Sequence, residues 1–201
     1  MREGFKITGL FYEIGAFRFR KFLNIIKNGA DCDMPDLMVV MMNPGSSRPL
    51  NNNDSFNFET ETVPDRTQDQ IMKIMINNGF YYSRILNLSD LRESKSSIFY
   101  SKLVELKDLN IHHSIFSDER KEDFNALFVK GIPVILAWCV NNNLFELAAI
   151  AKNRIGSDFM TIGIQKVGKE YAFYHPLPQN YNKQKEWVET ITNKLKAWSN
   201  D

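Results

Sequence analysis

The chain has 201 residues, 43% hydrophobic and 24% charged, enough apolar material for one sizeable core, and a single domain spanning 1–201 is expected at this length. Its 25 Lys and Arg against 24 Asp and Glu leave a net charge of +1, which excludes a sequence-blind nucleic-acid coater but allows one local basic face. Two cysteines, Cys32 and Cys139, are too few to ligate a structural zinc or an iron–sulfur cluster, or to build a secreted disulfide framework, so a reducing cytoplasm is expected. The opening Met1-Arg2-Glu3-Gly4-Phe5-Lys6 lacks the apolar core of a signal peptide. No apolar run approaches the ~20 residues of a membrane span, so no membrane partner is expected.

Short apolar runs alternate with amphipathic helical patterns, the sign of an α/β layer architecture. Phe5 to Tyr12 and the Phe17-Arg18-Phe19-Arg20 alternation read equally as strands or as the edges of a short helix. Arg18, Arg20, Lys21 and Lys27 make this stretch basic, and a solvated face is expected there. Leu37 to Met42 is a continuous apolar run, as in a strand buried on both faces, and it stops at the turn signal Asn43-Pro44-Gly45-Ser46-Ser47. The polar stretch 51–65 predicts a long loop over one end of the sheet, a length that points to function. Thr67 to Asn78 carries Ile71, Ile74 and Met75 at helical spacing, with Asn78-Gly79 as the stop.

Tyr81 to Leu88 predicts a second strand, and Ser117-Asp118-Glu119 opens a helix whose buried stripe is Phe124, Leu127 and Phe128. Pro133 to Cys139 predicts a third buried strand, Asn143 to Arg154 a helix, and Phe159 to Val167 another strand. Val167-Gly168-Lys169 turns into a last strand, Glu170 to Tyr174, which ends at His175-Pro176-Leu177-Pro178. A closing helix over Lys183 to Trp198 sets Trp187, Ile191, Leu195 and Trp198 on one face. The adjacent His112 and His113 cannot share one helix face and have no motif-spaced acid, so a loop pair is expected rather than a metal site, and no metal or cofactor is expected at all.

Ligands of open α/β sheets sit beyond the carboxyl ends of the strands. Three polar signals fall there: Asn43-Pro44-Gly45, Asn87, and His175-Pro176. The order Met42-Asn43-Pro44-Gly45, Leu86-Asn87, His175-Pro176-Leu177-Pro178 resembles the uracil-DNA glycosylase superfamily, most closely its single-strand-selective monofunctional and mismatch-specific branches. Asn180 and the Lys183-x-x-x-Trp187 spacing also resemble the single-strand-selective branch. The segment His175 to Trp187 is similar as well to an uncharacterised bacterial family with a Leu-Asn-Pro-Ser motif at the same place. Leu177 stands where the superfamily carries Ser, and no aromatic follows the first motif at the short distance expected.

The resemblance implies a three-layer α/β/α fold with a central, mostly parallel sheet, and a monomeric DNA glycosylase acting on single- or double-stranded DNA. The base would leave the helical stack and enter a pocket. Asn43 would orient the attacking water, His175 would donate to the base carbonyl as charge builds there, and Asn87 would read the base edge. No lysine lies in these motifs, so the expected enzyme is monofunctional and leaves an abasic site. Gly45 replaces the tyrosine that crowds the pyrimidine C5 position in the strict uracil branch, so C5 substituents would fit. That opening suits repair of oxidised or deaminated pyrimidines and equally suits removal of hypermodified, sugar-bearing phage bases in antiviral defence. Phe56 or Phe58 would stack on the base. Ser46 and Ser47 would cradle a phosphate if a helix begins there, Arg48, Gln179 and Lys183 would touch the DNA backbone, and Leu177 would wedge into the vacated stack. Two other readings stay open, a non-catalytic base-binding module and an N-glycosidase of free modified nucleosides.

Overall fold

The structure, a computed structural model, describes residues 1–51, 58–157 and 159–198. The N-terminal stretch resolves as two long strands, β1 (Phe5–Ile14) and β2 (Phe17–Lys27), paired antiparallel. The helical alternative fails because the Phe/Arg alternation has period two, which places Phe17 and Phe19 in the core beneath one face of the sheet. Strands β3 (Leu37–Met41), β5 (Tyr82–Asn87), β6 (Val134–Leu136) and β7 (Thr161–Gly163) form the parallel part of the sheet. A short strand, β4 (Glu59–Glu61), pairs antiparallel with β1. The sheet has seven strands in the order β4-β1-β2-β5-β3-β6-β7, a mixed sheet in which the antiparallel hairpin flanks a parallel half.

Every residue of β3 is buried, as a strand covered on both faces requires. On one face, helices α1 (Arg66–Asn78) and α5 (Tyr181–Trp198) cover a core of Leu37, Val39, Met41, Ile71, Ile74, Trp187 and Ile191. On the other, α2 (Ser96–Asp108), α3 (Lys121–Leu127) and α4 (Phe145–Ile155) cover Met38, Val40, Phe99, Phe124 and Ala148. Among the described residues no helix is long and apolar enough to cross a membrane.

Four expectations change. The loop expected over 51–65 contains β4, whose all-polar Glu-Thr-Glu hides a strand: Glu59 accepts hydrogen bonds from Thr8 Oγ1 and from Asn24 Nδ2 (2.8 Å) and so locks a polar edge onto β1 and β2. Periodicity assigns nothing between 89 and 116, yet α2 lies there; only Phe99 and Leu106 of that helix are fully buried, too sparse a stripe to read. Glu170 to Tyr174 is no strand. Phe173 alone makes isolated bridges, to Cys139 and to Gln165. A side chain at Gly163 would meet Phe173 Cδ1 at 2.5 Å and Leu136 O at 2.8 Å, so the glycine permits this segment to press against β7. Finally, the expected solvated basic face is only partly kept: Arg20 is buried and Lys21 is part-buried against Asp123, while Arg18, beside Glu13, and Lys27, over the Tyr81 ring, stay exposed.

The hairpin is tied to the far layer by a buried ion network. Asp90, fully buried, accepts from Tyr12 Oη (3.0 Å) and from Arg120, which also donates to Asp123 (2.9 Å). Replacing Arg120 with Met would leave the Asp90 carboxylate buried without its counter-charge. Urea unfolding of Arg120→Met is expected to show a loss of about 3–5 kcal/mol, and a loss below about 1 kcal/mol would contradict this tie between layers.

Candidate active site

Strand register sets the site. Met41, the last residue of β3, stands opposite Asn87, the last residue of β5, so the two parallel strands end level. Alternation places Asn87 on the same face as Ile85, toward α1 and α5. Asn87 is 0% exposed, and neither its Nδ2 nor its Oδ1 has a hydrogen-bond partner. Buried carboxamides are almost always paired, so one with both ends unpaired is a marked exception.

Beyond β3 the chain turns at once. Asn43 Nδ2 donates to Leu91 O (3.2 Å) and Glu93 O (2.7 Å), which joins the first strand end to the segment that follows β5. Both amide protons are thereby used, and the Oδ1 acceptor is left with a fixed direction. Ser47 N–H donates to Pro44 O (3.1 Å), closing a turn with Gly45 at φ +59°. That left-handed angle strains any other residue, while a Cβ at Gly45 would meet nothing within 4 Å. Glycine here serves the backbone, and the space beside it is open. No helix begins at Ser46 and Ser47; the second amide is spent inside the turn, and the Ser47 hydroxyl is buried without a partner.

His175 reaches the same end of the sheet from α5. Trp187 Nε1 donates to Tyr174 O (2.9 Å), pinning the residue before it, and Asn180 Oδ1 caps the helix by accepting from Asn182 N (2.9 Å) and Lys183 N (3.3 Å). Leu177 N–H donates to His175 Nδ1 (3.1 Å), so the neutral ring carries its proton on Nε2 and can donate it. Burial lowers the His175 pKa below the usual 6.5, with the Asp65 charge pulling the other way.

Asp65 is the carboxylate of this crevice. It caps α1, accepting from Gln68 N (2.9 Å) while Gln68 Oε1 accepts from Asp65 N (3.1 Å). Its charge acts on His175 and also on Arg20 of β2. Strand β2 runs past the end of β5, and Arg20 N–H donates to Asp90 O (2.9 Å), three residues beyond Asn87. Asp65 and Arg20 therefore join Asn43, Asn87 and His175 around the strand ends. The Asp65-x-x-Gln68 spacing is a capping-box signal readable in sequence. Nothing in a Phe-Arg-Phe-Arg run marks Arg20 as the buried one.

The remaining expected contacts are peripheral. Phe58 is 57% exposed, and Phe56 lies outside the described residues. Arg48, Gln179 and Lys183 are exposed and Leu177 is half-buried. His112 and His113 lie in the loop between α2 and α3. Burial, with help from Arg120, pulls His113 down to about 4. Among the described residues no group of three or more His, Cys, Asp or Glu is placed to hold a metal.

The tautomer and the lowered pKa make a prediction with a definite sign. A folded pKa below the ordinary value means that neutral His175 contributes stability and donor capacity above pH 6.5, both lost as pH falls through the lower folded value. A nitrogen-15 NMR titration should show the Nε2–H tautomer and a midpoint below 6.5. A midpoint above 6.5, or a proton on Nδ1, would contradict the geometry. No family model matches this chain, and neither a curated protein nor a solved structure matches it.

Proposed function

We propose that the chain is a monofunctional DNA N-glycosylase of the uracil-DNA glycosylase type, acting on a flipped-out uracil or C5-modified pyrimidine. The observation that carries this reading is the buried Asn87 carboxamide at the end of β5, with donor and acceptor both unpartnered; the neutral His175 lies beyond the carboxyl end of the same sheet. A pyrimidine edge presents the complementary acceptor and donor, so base binding would satisfy both ends of the amide together.

The chemistry follows from the same groups. Water adds to C1′, the N-glycosidic electron pair departs on the base, and the water's proton passes to solvent. Asn43 is too weak a base to take that proton; with Nδ2 held by two carbonyls, its Oδ1 orients the water. The Nε2–H of His175 donates to the base carbonyl where negative charge develops, and its depressed pKa keeps it a neutral donor near pH 7. The Asp65 carboxylate offers negative charge to the cationic sugar. The open space beside Gly45 supports acceptance of a C5 substituent.

A second reading, action on free nucleotides, is favoured by one observation: Arg20 is buried and Lys21 is part-buried against Asp123, which leaves the hairpin only the scattered cations Lys6, Arg18 and Lys27 to offer a DNA backbone. Oligonucleotides containing uracil, 5-hydroxymethyluracil, 5-hydroxymethylcytosine or its glucosylated form, treated with alkali after incubation, test the principal reading alongside deoxyuridine 5′-monophosphate with base release read by chromatography. Abasic sites in at least one oligonucleotide are expected, with His175→Ala slowing release by about 10²–10³-fold. Release from the nucleotide alone would select the second reading. Activity within twofold of wild type in His175→Ala would refute the leaving-group role.

A further inference from the structure

One charge in the crevice has no part in base reading or water positioning. Arg20 is 4% exposed, its Nε is buried without a partner, and no described residue accepts a hydrogen bond from its guanidinium. Burial pulls its pKa down to about 10, Asp65 and Asp90 draw it up, and Arg92 pushes it down again. Asp65 does not complete it, since that side chain accepts from the Gln68 amide instead. A guanidinium so far withdrawn from water, with Nε sealed off unpartnered, is a costly arrangement for a fold to hold.

The second guanidinium is close by. Arg92 lies over the Phe11 ring, 5.2 Å from its centroid, and Phe11 is the cross-strand partner of Arg20. Arg92 thus sits on the ring of the residue paired with Arg20, and its charge acts on the Arg20 guanidinium. Arg20 also faces away from Phe19 and its core, toward the α1 and α5 face that carries Asn87 on the neighbouring strand. An anion placed beside Arg20 would meet a rigid fork of donors.

We propose that Arg20, with Arg92 beside it, binds a phosphate group of the substrate at the β2 edge of the strand-end crevice. Naming a nucleotide as the phosphate's owner rests on the proposed function; the anion site itself does not. Two sources share this chemistry, the terminal phosphate of a free nucleotide and a backbone phosphate of DNA.

The test follows the thermal midpoint and calorimetric titration of the intact chain with inorganic phosphate, deoxyuridine 5′-monophosphate and deoxyuridine, at ionic strength held constant with sodium chloride. Wild type should be stabilised by phosphate and should bind the nucleotide at least tenfold tighter than the nucleoside. Arg20→Met, an apolar replacement for an unpaired buried charge, should fold and lose both effects. Arg20→Lys, which keeps the charge without the fork, should show a weakened response. No phosphate response in wild type, or an undiminished one in Arg20→Met, would overturn the proposal. A uracil oligonucleotide that shares the Arg20 dependence supports the site with DNA as the source; dependence confined to the mononucleotide supports it with a free nucleotide. Phosphate binding without base release from any substrate would overturn the glycosylase reading and keep the site, whereas base release indifferent to Arg20 would do the reverse.

Discussion

A carboxamide with both ends unpaired, sealed at the end of a buried strand, is the constraint around which this structure makes sense. Asn87 could not turn toward solvent, because β5 lies between β2 and β3 and the parallel register with β3 fixes where its side chain points. An apolar residue there would remove a desolvation cost of about 1–3 kcal/mol for each unmade hydrogen bond. Folds concentrate such conflicts at functional sites, where a ligand rather than the protein completes the polar group. Arg20, one strand away, presents the same conflict with a full charge.

The groups around Asn87 are held by atoms outside the crevice. Trp187 fixes Tyr174 and so the approach of His175; Leu177 N–H selects the ring tautomer; two backbone carbonyls hold the Asn43 amide; and the capping box sets Asp65. Apart from the Gln68 arm of the capping box, none of these supports relies on a long flexible side chain. In a site of low effective dielectric, fixed donors of this kind act strongly on developing charge because they need no reorganisation. Burial keeps His175 a neutral donor, so its proton is offered rather than transferred outright.

Much of this arrangement is legible in sequence, for physical reasons that can be named. The run Leu37 to Met41 is apolar throughout because both its faces are covered, and Asn43 and Asn87 stand out because each follows such a run. Helix α5 shows itself through Trp187, Ile191 and Leu195 at helical spacing. Strand β4 does not show, since Glu59 gains its partners from the distant Thr8 and Asn24, and α2 does not show, since two buried side chains make no stripe. Arg20 is the instructive failure: alternation tells which face an arginine takes, but its burial depends on α1 and on the return of the chain at Asp90, contacts that local pattern does not encode.

If Asn87 is held unpaired for a ligand, stability and binding must part company at that one position. The most direct measurement is urea unfolding of Asn87→Leu beside wild type, paired with base release and calorimetric binding of deoxyuridine by both proteins. Leucine is close in volume and has no polar atoms, so the account predicts a variant more stable than wild type by about 1–3 kcal/mol that neither binds the nucleoside nor releases base from the uracil oligonucleotide. A variant less stable than wild type, or one that keeps nucleoside binding, would contradict it: the amide would then belong to the core and not to a substrate.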